Sequence, residues 1–170
     1  MARNVEIKAR VADPARMAER ALRIADEGPW TIEQDDTFFA CPDGRLKLRD
    51  FGNGSGELIF YRRPDRTGPG QSEYCITPTG DPGGLRQLLT DALGATGRVR
   101  KQRTLYLAGR TRIHLDRVEG LGDFLELEVV LSDGELPRIG QAEARCLMKR
   151  LGIASDDLVD VAYVDLLAAR

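Results

Sequence analysis

Several segments of this chain carry charge at every second residue, and the sign of that charge is sorted from segment to segment. Residues 4–11 alternate Asn4, Glu6, Lys8 and Arg10 with Val5, Ile7, Ala9 and Val11. Lys47 and Arg49 stand against Leu46 and Leu48, and Arg62 with Phe60 stands against Ile59 and Tyr61. Lys101 and Arg103 follow the same rhythm, as do Arg112, His114 and Asp116 against Ile113 and Leu115. Glu126 and Glu128 alternate with Leu125, Leu127 and Val129. A period of two is the signature of a β-strand with one apolar and one polar face. Such a chain must bury one face of a sheet and find an occupation for the other.

The remaining elements follow from punctuation. Asp13-Pro14 opens a helix through about Glu27, with Asp as cap and Pro in the first turn, and Gly28-Pro29 ends it. The spacing predicts strands at Thr37–Cys41, Arg45–Phe51, Leu58–Arg63, Glu73–Thr79, Arg98–Leu107, Thr111–Val118 and Phe124–Leu131. Helices are expected from about Gly83 to Leu93 and from Pro137 to Leu151, with a short helix or turn near Ser155. Val159–Leu167 stays open in type, and Asp65–Gln71 reads as a loop. No repeat or linker divides the 170 residues, so residues 1–170 are expected to form a single domain. Sequential strands joined by short turns pair antiparallel. With the strand at residues 4–11 there are eight, enough to close into a barrel and remove exposed edges.

Two architectures satisfy the alternation. A half-solvated sheet turns its charged face to water. A closed barrel with helices covering its apolar outer face turns the charges into a lumen. The segregation of sign, basic on the third, fourth and sixth strands and acidic on the eighth, favours the lumen, because a solvated face intersperses both. Lys8, Arg10, Lys47, Arg49, Arg62, Lys101, Arg103 and Arg112 brought together there would call for a polyanion, because buried like charges are costly unless paired. Lys and Arg suit phosphate oxygens. Glu6, Glu126 and Glu128 would repel a phosphate unless a cation lay between them, and an oxygen-only ligand set selects Mg²⁺ or Mn²⁺. Basic groups, carboxylates and a hard metal together describe phosphoryl transfer by positioning and charge stabilisation.

Net charge is −2, from 25 Lys+Arg and 27 Asp+Glu, so no global field recruits nucleic acid or an anionic membrane. The three cysteines, Cys41, Cys75 and Cys146, form no CxxC pair, which argues against a disulfide framework or a zinc site and for a reducing cytoplasm. A single histidine argues against a multi-His metal site. Neither a signal peptide nor a membrane span is evident.

The ordered set NVEIKAR, RLKLR, FYRRP, VRKQR, the Asp116 strand and GLGDFLELE resembles the CYTH family, the triphosphate tunnel metalloenzymes, over nearly the whole chain. That resemblance implies an α+β fold, an eight-stranded closed antiparallel barrel with helices packed outside. It implies a metal-dependent enzyme, class IV adenylate cyclase-like, that binds a small-molecule triphosphate such as ATP, tripolyphosphate or thiamine triphosphate. Triphosphate hydrolysis and non-catalytic polyphosphate or nucleotide binding are the alternatives. Glu6, Lys8, Glu126 and Glu128 would be catalytic. Glu6, Glu126, Glu128 and Asp116 would hold Mg²⁺ or Mn²⁺, and the basic residues named above would hold the triphosphate. Glu73 is a further candidate acid. The expected partners are the small molecule alone or, in a homodimer, a second copy.

One position departs from the family's ExExK start, where Asn4 stands for the first Glu. An amide oxygen can ligate a metal but adds no negative charge, so the expectation is weaker metal binding there, or a site that uses one ion well and a second poorly. His114 reads as a hydrogen-bonded lumen or surface residue, or as a general base. The cysteines read as packing residues, Trp30 as cover for a core edge, and Gly52–Gly56 as a hairpin turn that lacks the Lys-Ser/Thr of a phosphate loop. The helix at 137–151 carries a solvated charged face that is also a candidate to close a tunnel mouth.

Overall fold

The computed structural model describes residues 1–63 and 68–170. Eight strands, β1 (Ala2–Arg10), β2 (Glu27–Phe39), β3 (Arg45–Asp50), β4 (Gly56–Arg62), β5 (Gly70–Thr79), β6 (Ala95–Ala108), β7 (Thr111–Val118) and β8 (Gly122–Val130), close into an antiparallel barrel. Four helices, α1 (Pro14–Ile24), α2 (Pro82–Leu93), α3 (Pro137–Leu151) and α4 (Tyr163–Ala168), accompany it. The ring runs β1-β5-β4-β3-β2-β6-β7-β8. β1 closes it by pairing β5 on one side and β8 on the other.

On β1, β3, β7 and β8 the apolar face points outward, while their alternating charged residues face the barrel interior. Ile7 and Ala9 of β1 pack with Leu125 and Leu127 of β8, Ala21 of α1, and Leu147 and Leu151 of α3. Val5, Val129 and Leu131 meet Ala144 of α3 in a second cluster. The main core is therefore the layer between barrel wall and helices, where each fully buried aliphatic side chain contributes about 1.5–3 kcal/mol. Gly140 lets α3 approach the wall, because a Cβ there would stand 2.7 Å from Leu131 Cδ2 and 3.0 Å from Val5 Cγ2. Asp13 and Asp81 cap α1 and α2, accepting from the backbone N–H of Arg16 and Gly84 at 3.0 and 2.9 Å.

Two expectations need correction. The first helix stops at Ile24, with Ala25 already extended, so Gly28-Pro29 does not end it. Those residues lie inside β2, where the register shifts between Glu27 and Trp30 and Gly28 takes φ 98°. The strand expected at Thr37–Cys41 is the end of this 13-residue strand. Its earlier part escaped notice because Gly28-Pro29 interrupts it and, apart from Trp30 and Ile32, residues 30–36 are polar on both faces.

Of the loop expected at Asp65–Gln71, residues 65–67 lie outside the described residues, and Gly70 and Gln71 belong to β5. The segment left open at Val159–Leu167 is an extended stretch followed by α4. Among the described residues, no helix is long and apolar enough to cross a membrane.

Candidate functional site

The inward faces enclose a cavity of about 330 Å³. Residues paired directly across neighbouring strands share a face, so the pairing registers build its walls. β8, β1 and β7 bring Glu128, Glu6 and Arg112 into one row, and Glu126, Lys8 and His114 into the next. On the opposite wall β3 presents Lys47 and Arg49, β6 presents Lys101 and Arg103, and β2 between them presents Asp36.

The basic wall is held by its own acids. Asp36 accepts from Lys47 Nζ at 2.9 Å and from Arg49 Nε and Nη2, each at 2.8 Å. Burial would raise its pKa, but Arg49 and Lys47 outweigh burial and hold it well below the usual carboxylate range. The same burial lowers Lys47 to about 8 against the pull of Asp36. Asp116 accepts from Lys101 Nζ at 3.0 Å, from Arg103 Nε and Nη2 at 2.7 and 2.6 Å, and from the Tyr163 hydroxyl at 3.1 Å. Both triads are preorganised forks of donors, the arrangement that suits phosphate oxygens.

The acidic wall is less completely neutralised. Burial raises Glu6 to about 7; Arg63 opposes the shift from 3.1 Å, while Glu128 and Glu126 add to it. Glu126 lies far below its ordinary value, because Lys101, Lys8 and Arg103 overcome its burial. Arg103 Nη2 reaches it at 2.6 Å and Lys8 Nζ at 3.5 Å. Arg112 Nη2 holds Glu128 at 2.8 Å. Burial lowers His114 to about 3, with Arg103 adding, so its ring is neutral.

Of the expected site residues, Glu6, Lys8, Lys47, Arg49, Lys101, Arg103, Arg112, Glu126 and Glu128 converge on the cavity. Asp116 lies beneath it, spent on Lys101, Arg103 and Tyr163. Two do not converge. Arg10 is exposed at the end of β1, with its guanidinium over the Phe124 ring at 5.2 Å. Arg62 points outward and pairs with Asp43 at 2.7 Å. The register explains it: Lys47 faces in and pairs with Ile59, so Tyr61 and then Arg63 follow inward, and Arg62 with its partner Glu73 lies outside. Glu73 is thereby removed from the lumen as well.

Sequence reasoning missed Asp36, Arg63 and Tyr163. The hairpin register between β3 and β4 could have identified Arg63, but no local signal marked the other two. Tyr163 and Ala162 line the cavity, Lys8 Nζ donates to the Val161 carbonyl at 3.1 Å, and Lys8 lies 4.0 Å from the Tyr163 ring centroid. The C-terminal segment, rather than α3, thus packs into one end of the lumen, while α3 lies along the outer wall. Cys75 and Cys146 are exposed rather than packed, and Trp30 is 44% exposed. Gly52–Gly56 is a hairpin turn, closed by the Phe51 N–H donating to Ser55 O at 3.1 Å.

The residues present fit a divalent cation. Asn4 Oδ1 and His114 Nδ1 are buried with no hydrogen-bond partner, and both residues line the cavity. His114, Glu126 and Glu128 offer donor atoms that all lie within 4.8 Å of one another. Buried acceptors left unpaired are costly, so such a cluster calls for a cation or an ordered donor.

Comparison with known proteins agrees with this geometry. A Methanocaldococcus jannaschii protein named as a putative adenylate cyclase is 26% identical over 95% of this chain and 97% of its own length. The structure of the PH1012 protein of Pyrococcus horikoshii superposes with a TM-score of 0.84 at 26% identity, covering 96% of this chain and 98% of that one. A Hippeastrum protein described as a putative adenylyl cyclase that reveals a dominant triphosphatase activity shares the fold at 16% identity, with a TM-score of 0.69 over 99% of this chain and 96% of that one. The CYTH domain matches residues 2–163, and with the closed barrel and its charged lumen in view, the chain belongs to the CYTH domain family.

Proposed function

We propose that this chain is a metal-dependent enzyme that holds the phosphates of a small-molecule triphosphate inside the barrel. The observation that carries the reading is the division of one buried lumen into a basic wall, Lys47, Arg49, Lys101 and Arg103, and an acidic wall, Glu6, Glu126 and Glu128. The basic wall grips phosphate oxygens through forks already oriented by Asp36 and Asp116. Lys8, Arg63 and Arg112 add charge beside the acidic wall. Glu126, Glu128 and Glu6 would hold Mg²⁺ or Mn²⁺, which polarises a phosphoryl oxygen and neutralises developing charge when bound. The small cavity favours a free triphosphate over a nucleic acid strand. Three unpaired cysteines fit a reducing, cytoplasmic location, and the absence of a repeat or dividing linker fits a single domain, acting as monomer or homodimer.

Two chemistries use the same grip. In hydrolysis water attacks the terminal phosphorus; in cyclisation the ribose 3′-hydroxyl of ATP attacks the α-phosphorus and pyrophosphate leaves. The name of the Methanocaldococcus relative supports the cyclase-like reading, and the description of the Hippeastrum protein supports hydrolysis. Asn4 favours a third reading, binding without turnover, because its amide supplies no charge where the family motif has a carboxylate.

Incubation with ATP, tripolyphosphate and thiamine triphosphate, each with Mg²⁺ and Mn²⁺, separates the three. Orthophosphate alone identifies a hydrolase, cyclic AMP with pyrophosphate a cyclase, and metal-dependent binding without product a binding module. Glu126→Ala combined with Glu128→Ala should abolish turnover while circular dichroism stays native. Full activity in that double variant would refute the assigned acidic wall.

A further inference from the structure

We infer that the lumen cation site includes a nitrogen ligand, the Nδ1 atom of His114, and therefore favours a borderline transition ion such as Co²⁺ over Mg²⁺. The inference rests on the metal-dependent reading above and goes beyond it, because that reading drew on carboxylate oxygens alone.

His114 enters the lumen from β7, directly opposite Glu126 on β8. Its side chain is 5% exposed, and Nδ1 has no hydrogen-bond partner. The carboxylates facing that atom are Glu128 Oε1 at 3.7 Å and Glu126 Oε2 at 4.0 Å. Both separations are too long for hydrogen bonds, and one ion with donors at about 2.0–2.2 Å spans such gaps. A buried imidazole nitrogen left unpaired is costly, so a position that merely packs would be expected to satisfy it. Glu128 Oε2 is held by Arg112 and Glu126 Oε2 by Arg103, which leaves Glu128 Oε1 turned toward the ring. Two carboxylates and one neutral imidazole make a mixed oxygen and nitrogen set. An imidazole ligand raises affinity from Mn²⁺ to Co²⁺, whereas carboxylates alone suit Mg²⁺ and Mn²⁺.

The chain contains one histidine, so imidazole coupling to a bound ion has a single possible source. Untagged native protein is loaded with Mn²⁺ alone and studied by pulsed electron paramagnetic resonance, with and without ¹⁵N-labelled histidine. Nitrogen modulation that changes isotope pattern on labelling is the expected result. His114→Gln should remove it and weaken Co²⁺ binding by roughly tenfold or more, with a much smaller loss for Mg²⁺. Mn²⁺ binding without nitrogen modulation would overturn the ligand assignment and leave the metal-dependent reading standing. Failure of native protein to bind Mn²⁺ would overturn both. The labelled native protein decides the matter even if the variant folds poorly.

Discussion

Asp36 is the residue that lets a lumen full of cations stay folded before an anion arrives. It is 2% exposed and joins Lys47 and Arg49 through three hydrogen bonds. The expectation that the basic residues need a polyanion therefore changes: their charges are already partly matched, and the polyanion completes the pairing. Asp36→Asn strands two half-buried cations; removing one partner of a fully buried pair costs about 3–5 kcal/mol, so urea unfolding should register a loss below that range. Lys47 makes a different prediction. Its pKa, lowered to about 8 by burial, with Arg49 and Lys101 adding and Asp36 opposing, will rise when a polyanion binds. Binding then takes up a proton above pH 8, so triphosphate affinity should fall as pH rises through about 8, and Lys47→Arg should abolish that fall in a titration series. Arg63→Ala should weaken triphosphate binding while Arg62→Ala leaves it unchanged, because only Arg63 faces Glu6 and the lumen.

At the scale of elements, α3 depends on a missing side chain. A methyl at Gly140 meets Leu131 and both Cβ and Cγ2 of Val5, a β-branched residue with little freedom to yield. Overpacking costs about 1–3 kcal/mol, against a gain of about 1 kcal/mol from helix propensity. Gly140→Ala should lower stability by about 1 kcal/mol in denaturant unfolding and leave triphosphate affinity unchanged, since α3 touches the outer wall. The elements also mark where sequence reading ends. β1, β3, β7 and β8 were legible because apolar and charged residues alternate cleanly. The first half of β2 was not, because Gly28-Pro29 interrupts it and only Trp30 and Ile32 on one face are apolar. In FYRRP two adjacent arginines alternate, and only the pairing of Lys47 with Ile59 decides which of them faces inward.

For the molecule as a whole, a ligand that completes the lumen pairing should stabilise the barrel. At a tripolyphosphate concentration 100 times its Kd the gain is about 2.7 kcal/mol, or a Tm rise of roughly 5–10 °C for a chain of this size. Lys8→Ala with Arg49→Ala should remove most of that rise, and added salt should reduce it. The amino-acid sequence by itself determined the number of strands, the sorting of charge by strand and the identity of most lumen bases and acids, because period-two patterning is a local property. Only the tertiary structure decided which charges meet. The choice of Arg63 over Arg62, the placing of Asp36 between Lys47 and Arg49, the packing of Tyr163 onto Asp116, and the approach of His114 to Glu126 and Glu128 all depend on register and closure. Those are fixed by pairings between strands distant in the chain, which no local pattern encodes.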